Sequence, residues 1–175
     1  EINRLDRDWN PSRGYRAGIS SANGLRTGSE SAETRNWTRR DEAAFEFVQP
    51  VSSSIVLALR SHIKELSGKA TALEELPAVE VRGYPEGRFK GRGVGWCSLE
   101  LRWRLDQSAY WGAFADYGAI YRDEPRLKSG RRSLPSIGLT GGFATSGSRF
   151  MLDIGLPHGE PINRARLHFS LTGWF

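Results

Sequence analysis

Phe114, Asp116 and Gly118 stand at alternate positions of one run, so a strand through them turns a ring, a carboxylate and an open space to the same face. If that face is enclosed, the carboxylate needs a cation. Arginine suits best, because its planar fork makes paired, charge-assisted hydrogen bonds to a carboxylate. Two sources are available: Arg82, in a long loop, and the strand arginines Arg102 and Arg104. Gly83 follows Arg82 and lets the loop backbone approach a wall or turn sharply. This chemistry recognises and holds; it does not catalyse.

Other chemistry-bearing residues are dispersed. Gly91-Arg-Gly-Val-Gly95 has a phosphate-loop look, but no strand–helix–strand setting surrounds it, and a loop hinge is the expected role. His62, His158 and His168 show no metal-ligand spacing. His168 and Ser170 share a face, yet no nucleophile setting accompanies them. The single cysteine, Cys97, excludes an internal disulfide and sits among apolar positions as a small hydrophobe. No catalytic residue, metal or cofactor is therefore expected.

The elements that would position these residues follow a two-residue rhythm. Cys97, Leu99, Leu101, Trp103 and Leu105 alternate with Ser98, Glu100, Arg102 and Arg104. Trp111, Ala113, Ala115 and Tyr117 alternate with Tyr110, Gly112, Phe114 and Asp116. Comparable runs start at Tyr15, Ala43, Ile55, Ile137, Phe150 and Leu167, giving eight strands. Their lengths approach the roughly 9–11 residues of a tilted membrane-crossing strand. Ser21–Asn36, Lys64–Gly93, Arg122–Arg132 and Pro157–Asn163 read as long connections, all on one side, with short turns on the other. That asymmetry is the mark of an outer-membrane barrel, apolar toward lipid and polar toward its lumen. Within the longest connection, Ala70, Leu73 and Leu76 have helix-like spacing, and Ser67–Glu75 is expected to make a helical turn.

Composition agrees once the alternation is counted. The 175 residues are 38% hydrophobic and 26% charged, with a mean hydropathy of −0.49. Those values suit a soluble protein, including a lipid- or ligand-binding barrel, but only every second residue of a membrane barrel meets lipid. Twenty glycines and 11% aromatics fit tight turns and interfacial rings, to which the six tryptophans Trp9, Trp37, Trp96, Trp103, Trp111 and Trp174 are expected to contribute. The net charge of +5 is spread over separate strands. Arg16, Arg60, Arg102, Arg104, Arg149 and Arg166 are interspersed with Glu42, Glu46, Glu100, Asp116 and Asp153, which points to a mixed-sign interior and away from nucleic acid. The chain begins at Glu1 without an apolar leader; either a signal peptide has been removed or it starts inside a longer protein.

Three motifs, in order, carry a resemblance. Asp6-Arg-Asp8 through Pro11-Ser-Arg-Gly14 resembles a D-x-R-D-x-x-x-P-x-x-G periplasmic turn; Val81-Arg82-Gly83-Tyr84 resembles a V-R-G-[FY] loop signature; and Phe114-Ala-Asp116-Tyr-Gly118 resembles an F-x-D-x-G strand motif. Together they are similar to the BamA/TamA/two-partner-secretion superfamily of outer-membrane barrels. The resemblance implies that residues 1–175 form one all-β domain, an antiparallel transmembrane β-barrel whose loop, about 64–93, folds inward. It implies that Arg82 pairs with Asp116, with Phe114 against the guanidinium and Gly118 leaving room. It further implies that the terminal strand, with Phe169, Leu171, Gly173 and Phe175, is an outer-membrane assembly signal, although Gly173 lies closer to the last Phe than the family pattern has it.

Implied too are an outer-membrane location, protein insertion or translocation as the activity, and lipid and an unfolded or secreted protein as partners. Barrels of this family have about sixteen strands. An eight-stranded barrel has no room for a loop beside its own side chains. Either the wall is therefore half of a larger one, completed by another chain or an N-terminal half, or the loop lies outside and Arg82 misses Asp116. A small structural or pore-forming barrel without protein transport is the alternative function.

Overall fold

The computed structural model describes residues 1–27, 35–68, 74–75, 81–85, 89–122 and 132–173. Eight long strands form one antiparallel meander: β1 (Gly14–Thr27), β2 (Arg35–Pro50), β3 (Ile55–Gly68), β4 (Gly93–Arg104), β5 (Ala109–Arg122), β6 (Arg132–Ala144), β7 (Ser148–Pro157) and β8 (Arg166–Gly173). A two-residue strand, Ile2–Asn3, pairs with Ala17 and Arg16 at the edge of β1. No pairing joins β8 to β1 among the described residues, so the sheet is an open wall with an edge at each end. The described strands therefore do not close on themselves into an eight-stranded barrel.

The wall is inside-out relative to a soluble protein. Leu99, Leu101, Trp103, Trp111, Tyr117, Ile137, Leu139, Leu152 and Ile154 are exposed, whereas Ser98, Glu100, Arg102, Asp116, Ser136, Thr140 and Asp153 are buried. Only an apolar solvent makes such an outer face favourable. Cross-strand aromatics gather at the short-turn end, where Trp103 stacks on Trp111 with centroids 5.1 Å apart and Phe143 stacks on Phe150 at 4.4 Å. From Trp111 to Tyr117 the apolar face runs about 20 Å along the strand.

Several sequence expectations need correction. Ser21–Asn36 is not all loop: β1 continues to Thr27 and β2 begins at Arg35, paired through Thr27↔Arg35. Polar residues there suit a hairpin that rises out of the apolar band. The long connection likewise begins after Gly68, not Lys64, because β3 is longer than its apolar run. Ser67 and Gly68 are strand, and Glu74–Glu75 pairs with Lys90–Gly91; the helical turn proposed over Ala70, Leu73 and Leu76 falls on residues outside those described. Gly93–Gly95 is no hinge but the start of β4, with a register shift between Gly93 and Val94. The loop read as Arg122–Arg132 loses its two end residues to β5 and β6, and residues 123–131 lie outside the described set.

Two tryptophans leave the girdle. Trp96 is buried on the inner face, against Val81, Phe89, Val94, Ile120 and Leu134. Trp9 belongs to the segment before β1, which folds across the short-turn end. Its Nε1 donates to the Ser108 carbonyl at 2.8 Å, and its ring lies 5.9 Å from that of Tyr110. Asn10, buried and at φ 45°, donates Nδ2 to the carbonyls of Asp106 (3.3 Å) and Ala109 (3.5 Å); asparagine tolerates this left-handed conformation better than most residues. Asp6 closes the segment by accepting from the Ser12 hydroxyl and from the amides of Ser12 (2.9 Å) and Arg13 (3.3 Å). In the β4–β5 turn, the Ser108 hydroxyl and the Ser108 and Ala109 amides donate to Asp106 and hold its carboxyl below its ordinary range.

If the exposed band faces lipid, Leu99→Arg near its middle is expected to cost about 2–4 kcal/mol of stability. Urea unfolding from lipid vesicles measures this; an unchanged midpoint contradicts a lipid-facing position.

Candidate functional site

The loop between β3 and β4 enters the concave side of the wall and buries Val81, Arg82 and Gly83 there. Arg82 is 1% exposed. Its Nε and Nη2 donate to Asp116 Oδ2 and Oδ1 at 2.8 and 2.7 Å, and its backbone amide adds a third bond to Oδ2 at 3.0 Å. Nη2 also donates to Ser98 Oγ at 2.9 Å. Nη1 lies 2.7 Å from Glu100 Oε1 and donates to Asp153 Oδ1 at 3.3 Å. The Phe114 ring covers the guanidinium, its centroid 3.5 Å from Cζ.

Glu100, fully buried, also binds Arg60 (2.6 Å) and Arg102 (2.7 Å). Three arginines thus meet three carboxylates, Glu100, Asp116 and Asp153, and the six formal charges cancel. Removing one member of such a buried cluster strands its partners' charges, at a cost of about 3–5 kcal/mol. Arg102 binds Glu100, and Arg82 is the arginine on Asp116, so of the alternatives left open by the sequence the geometry has the loop pair.

Each neighbour of Arg82 in the motif has its own contact. Val81 joins the apolar cluster of Phe89, Val94, Trp96, Ile120 and Leu134. Tyr84 donates Oη to the Pro135 carbonyl at 2.8 Å and packs edge-on to Phe89. Gly83, at φ 95°, rests on β7: a Cβ there would lie 2.9 Å from the Gly155 carbonyl carbon. Its amide donates to His168 Nε2 on β8 at 3.0 Å. Phe114, Asp116 and Gly118 all face inward; Gly118 lies between Trp96 and Leu134 in register, so the room it leaves serves the apolar cluster.

The sequence reading missed Gly155 and Gly138. A Cβ on Gly155 would collide with the Gly83 amide nitrogen, and one on Gly138 would meet the Phe114 ring. A signal was present, since both glycines fall at inward positions of otherwise regular alternation. It also missed Ser98 and gave Glu100 and Asp153 no role beyond the interior ladder, because convergence of β4, β5 and β7 on one loop residue is a tertiary fact. Of the terminal-strand residues, Phe169 and Leu171 are exposed on the outer face and Gly173 ends β8, while Phe175 lies outside the described residues. Among the described residues no group of His, Cys, Asp and Glu has the arrangement of a metal site. The geometry positions a loop.

No protein-family profile and no curated protein matches the sequence. The fold is nevertheless a known one. The crystal structure of BamA from Haemophilus ducreyi lacking POTRA domains 1–3 is similar over 97% of this chain, with a TM-score of 0.71 and 14% identity. The chain spans 40% of that structure's length. It therefore has the fold of part of a BamA barrel.

Arg82→Ala is expected to undock the loop, exposing residues 81–85 to protease while the strands persist. Gly155→Ala should do the same with every charge intact, because the added methyl occupies the space of the Gly83 backbone. Limited proteolysis checks both; a protected loop in either variant contradicts the docking described.

Proposed function

We propose that this chain is a wall segment of an outer-membrane β-barrel of the BamA/TamA type, taking part in the insertion of proteins into that membrane or their passage across it. The observation that carries the reading is the infolded loop whose Arg82 is neutralised inside an apolar-faced wall. A merely structural barrel has no need of such a loop, whereas a conduit that must stay shut between substrates does. The open edges of the sheet, β8 and the part of β1 beyond the short Ile2–Asn3 pairing, support completion of the wall by further strands, from another chain or from an N-terminal half, since open edges are not viable in lipid.

On this reading the protein carries no catalytic chemistry, cofactor or metal. Its partners are outer-membrane lipid and an unfolded or secreted polypeptide. The loop blocks the concave side next to β4, β5 and β7, which disfavours a constitutively open pore.

The complete assembly, reconstituted in vesicles, should speed the folding of an unfolded barrel substrate, and Arg82→Ala should slow that by about tenfold or more, because about 1.4 kcal/mol, a fraction of the cost of breaking the buried cluster, is already a factor of ten. Steady ionic conductance without substrate insertion would instead favour the pore-forming alternative.

A further inference from the structure

The edge strand β8 has a partner on one side, β7. From inside the wall a loop contact reaches it: the Gly83 amide donates to His168 Nε2 at 3.0 Å. The donor is held rigidly. Gly83 is pressed on Gly155 and follows Arg82, whose guanidinium is clamped by Asp116, Glu100 and Asp153. The acceptor is held by register, with His168 opposite Asp153 and Arg166 opposite Gly155. The Arg82–Gly83 pair thus touches β4, β5, β7 and β8 at once.

We propose that His168 is a positioning residue that latches the infolded loop to the edge strand, and that protonation of its imidazole releases the latch. An imidazole nitrogen accepts an amide hydrogen only while it carries no proton of its own. The neutral ring must therefore bear its hydrogen on Nδ1, and a second proton turns Nε2 into a donor facing a donor. Charged groups near the ring include Asp153 opposite it on β7, Arg82 beside its donor, and Arg166 two positions away on β8. Arg164 and Glu160, in the β7–β8 connection, line with Gly83 and Arg166 a cavity of about 350 Å³.

Released from His168, the loop keeps its Arg82 cluster, but β8 loses this tie to the loop. Loop position and edge-strand mobility are thus coupled through this hydrogen bond. This holds whether or not the wall transports protein, so its test is separate from the transport assay.

Hydrogen-exchange protection of Gly83–Tyr84 and of Leu167–Gly173 is measured on the full protein in lipid, at about pH 8 and about pH 5. His168→Leu should lower protection of both segments about two- to tenfold at the higher pH, the worth of one neutral hydrogen bond. The unaltered protein should show the same loss on acidification. His168→Gln, whose amide oxygen accepts without titrating, should keep protection at both values. Unchanged protection in His168→Leu, or a change confined to one of the two segments, overturns the latch. Loss in His168→Gln equal to that in His168→Leu overturns it as well. Should His168→Leu fail to assemble, nitrogen-15 NMR of the unaltered imidazole decides: the Nδ1–H form at high pH is required, and an Nε2–H form refutes the proposal.

Discussion

Arg82 is a cation carried by a loop into the interior of a wall whose outside is apolar, and the position of that loop depends on how its charge is met. Desolvating a guanidinium is costly, and the cost is recovered only where carboxylates with good geometry await it. Glu100, Asp116 and Asp153 come from three different strands, and Arg60 and Arg102 balance the surplus negative charge. Polar residues on the inner face of β4, β5 and β7 are thus a receptor for one side chain. The outward Leu, Trp and Ile at the intervening positions make the same strands compatible with lipid.

Backbone shape sets the second condition. Charge alone would let Arg82 reach Asp116 from several loop paths, but the Gly83 and Gly155 backbones are in direct contact and admit one. Gly138 does the same for the ring that covers the guanidinium. Electrostatics supplies the attraction and the absent side chains supply the seat. Neither works without the other, which is why a short motif in the loop needs matching vacancies in the wall.

Much of this was legible from residue order. The alternation Leu99-Glu100-Leu101-Arg102-Trp103 assigns faces without reference to a fold, and Phe114-x-Asp116-x-Gly118 places its residues on one side by the same rule. Strand ends were less legible, because β1 and β2 run beyond the apolar band into Ser-, Arg- and Asn-rich sequence that reads as loop. Trp96 looked like a girdle residue, since an aromatic at a strand end serves lipid or loop equally well by composition. The convergence on Arg82 was legible only through a motif resemblance, since partners on separate strands leave no spacing rule in the chain.

The segment before β1 ties that end of the sheet to the β4–β5 turn through Trp9 and Asn10. A curved sheet fastened in this way behaves like an arc with a chord across its foot. The chord limits how far β1 can move from the β4–β5 turn. Widening the arc at its foot therefore requires the hydrogen bonds of Trp9 and Asn10 to break first.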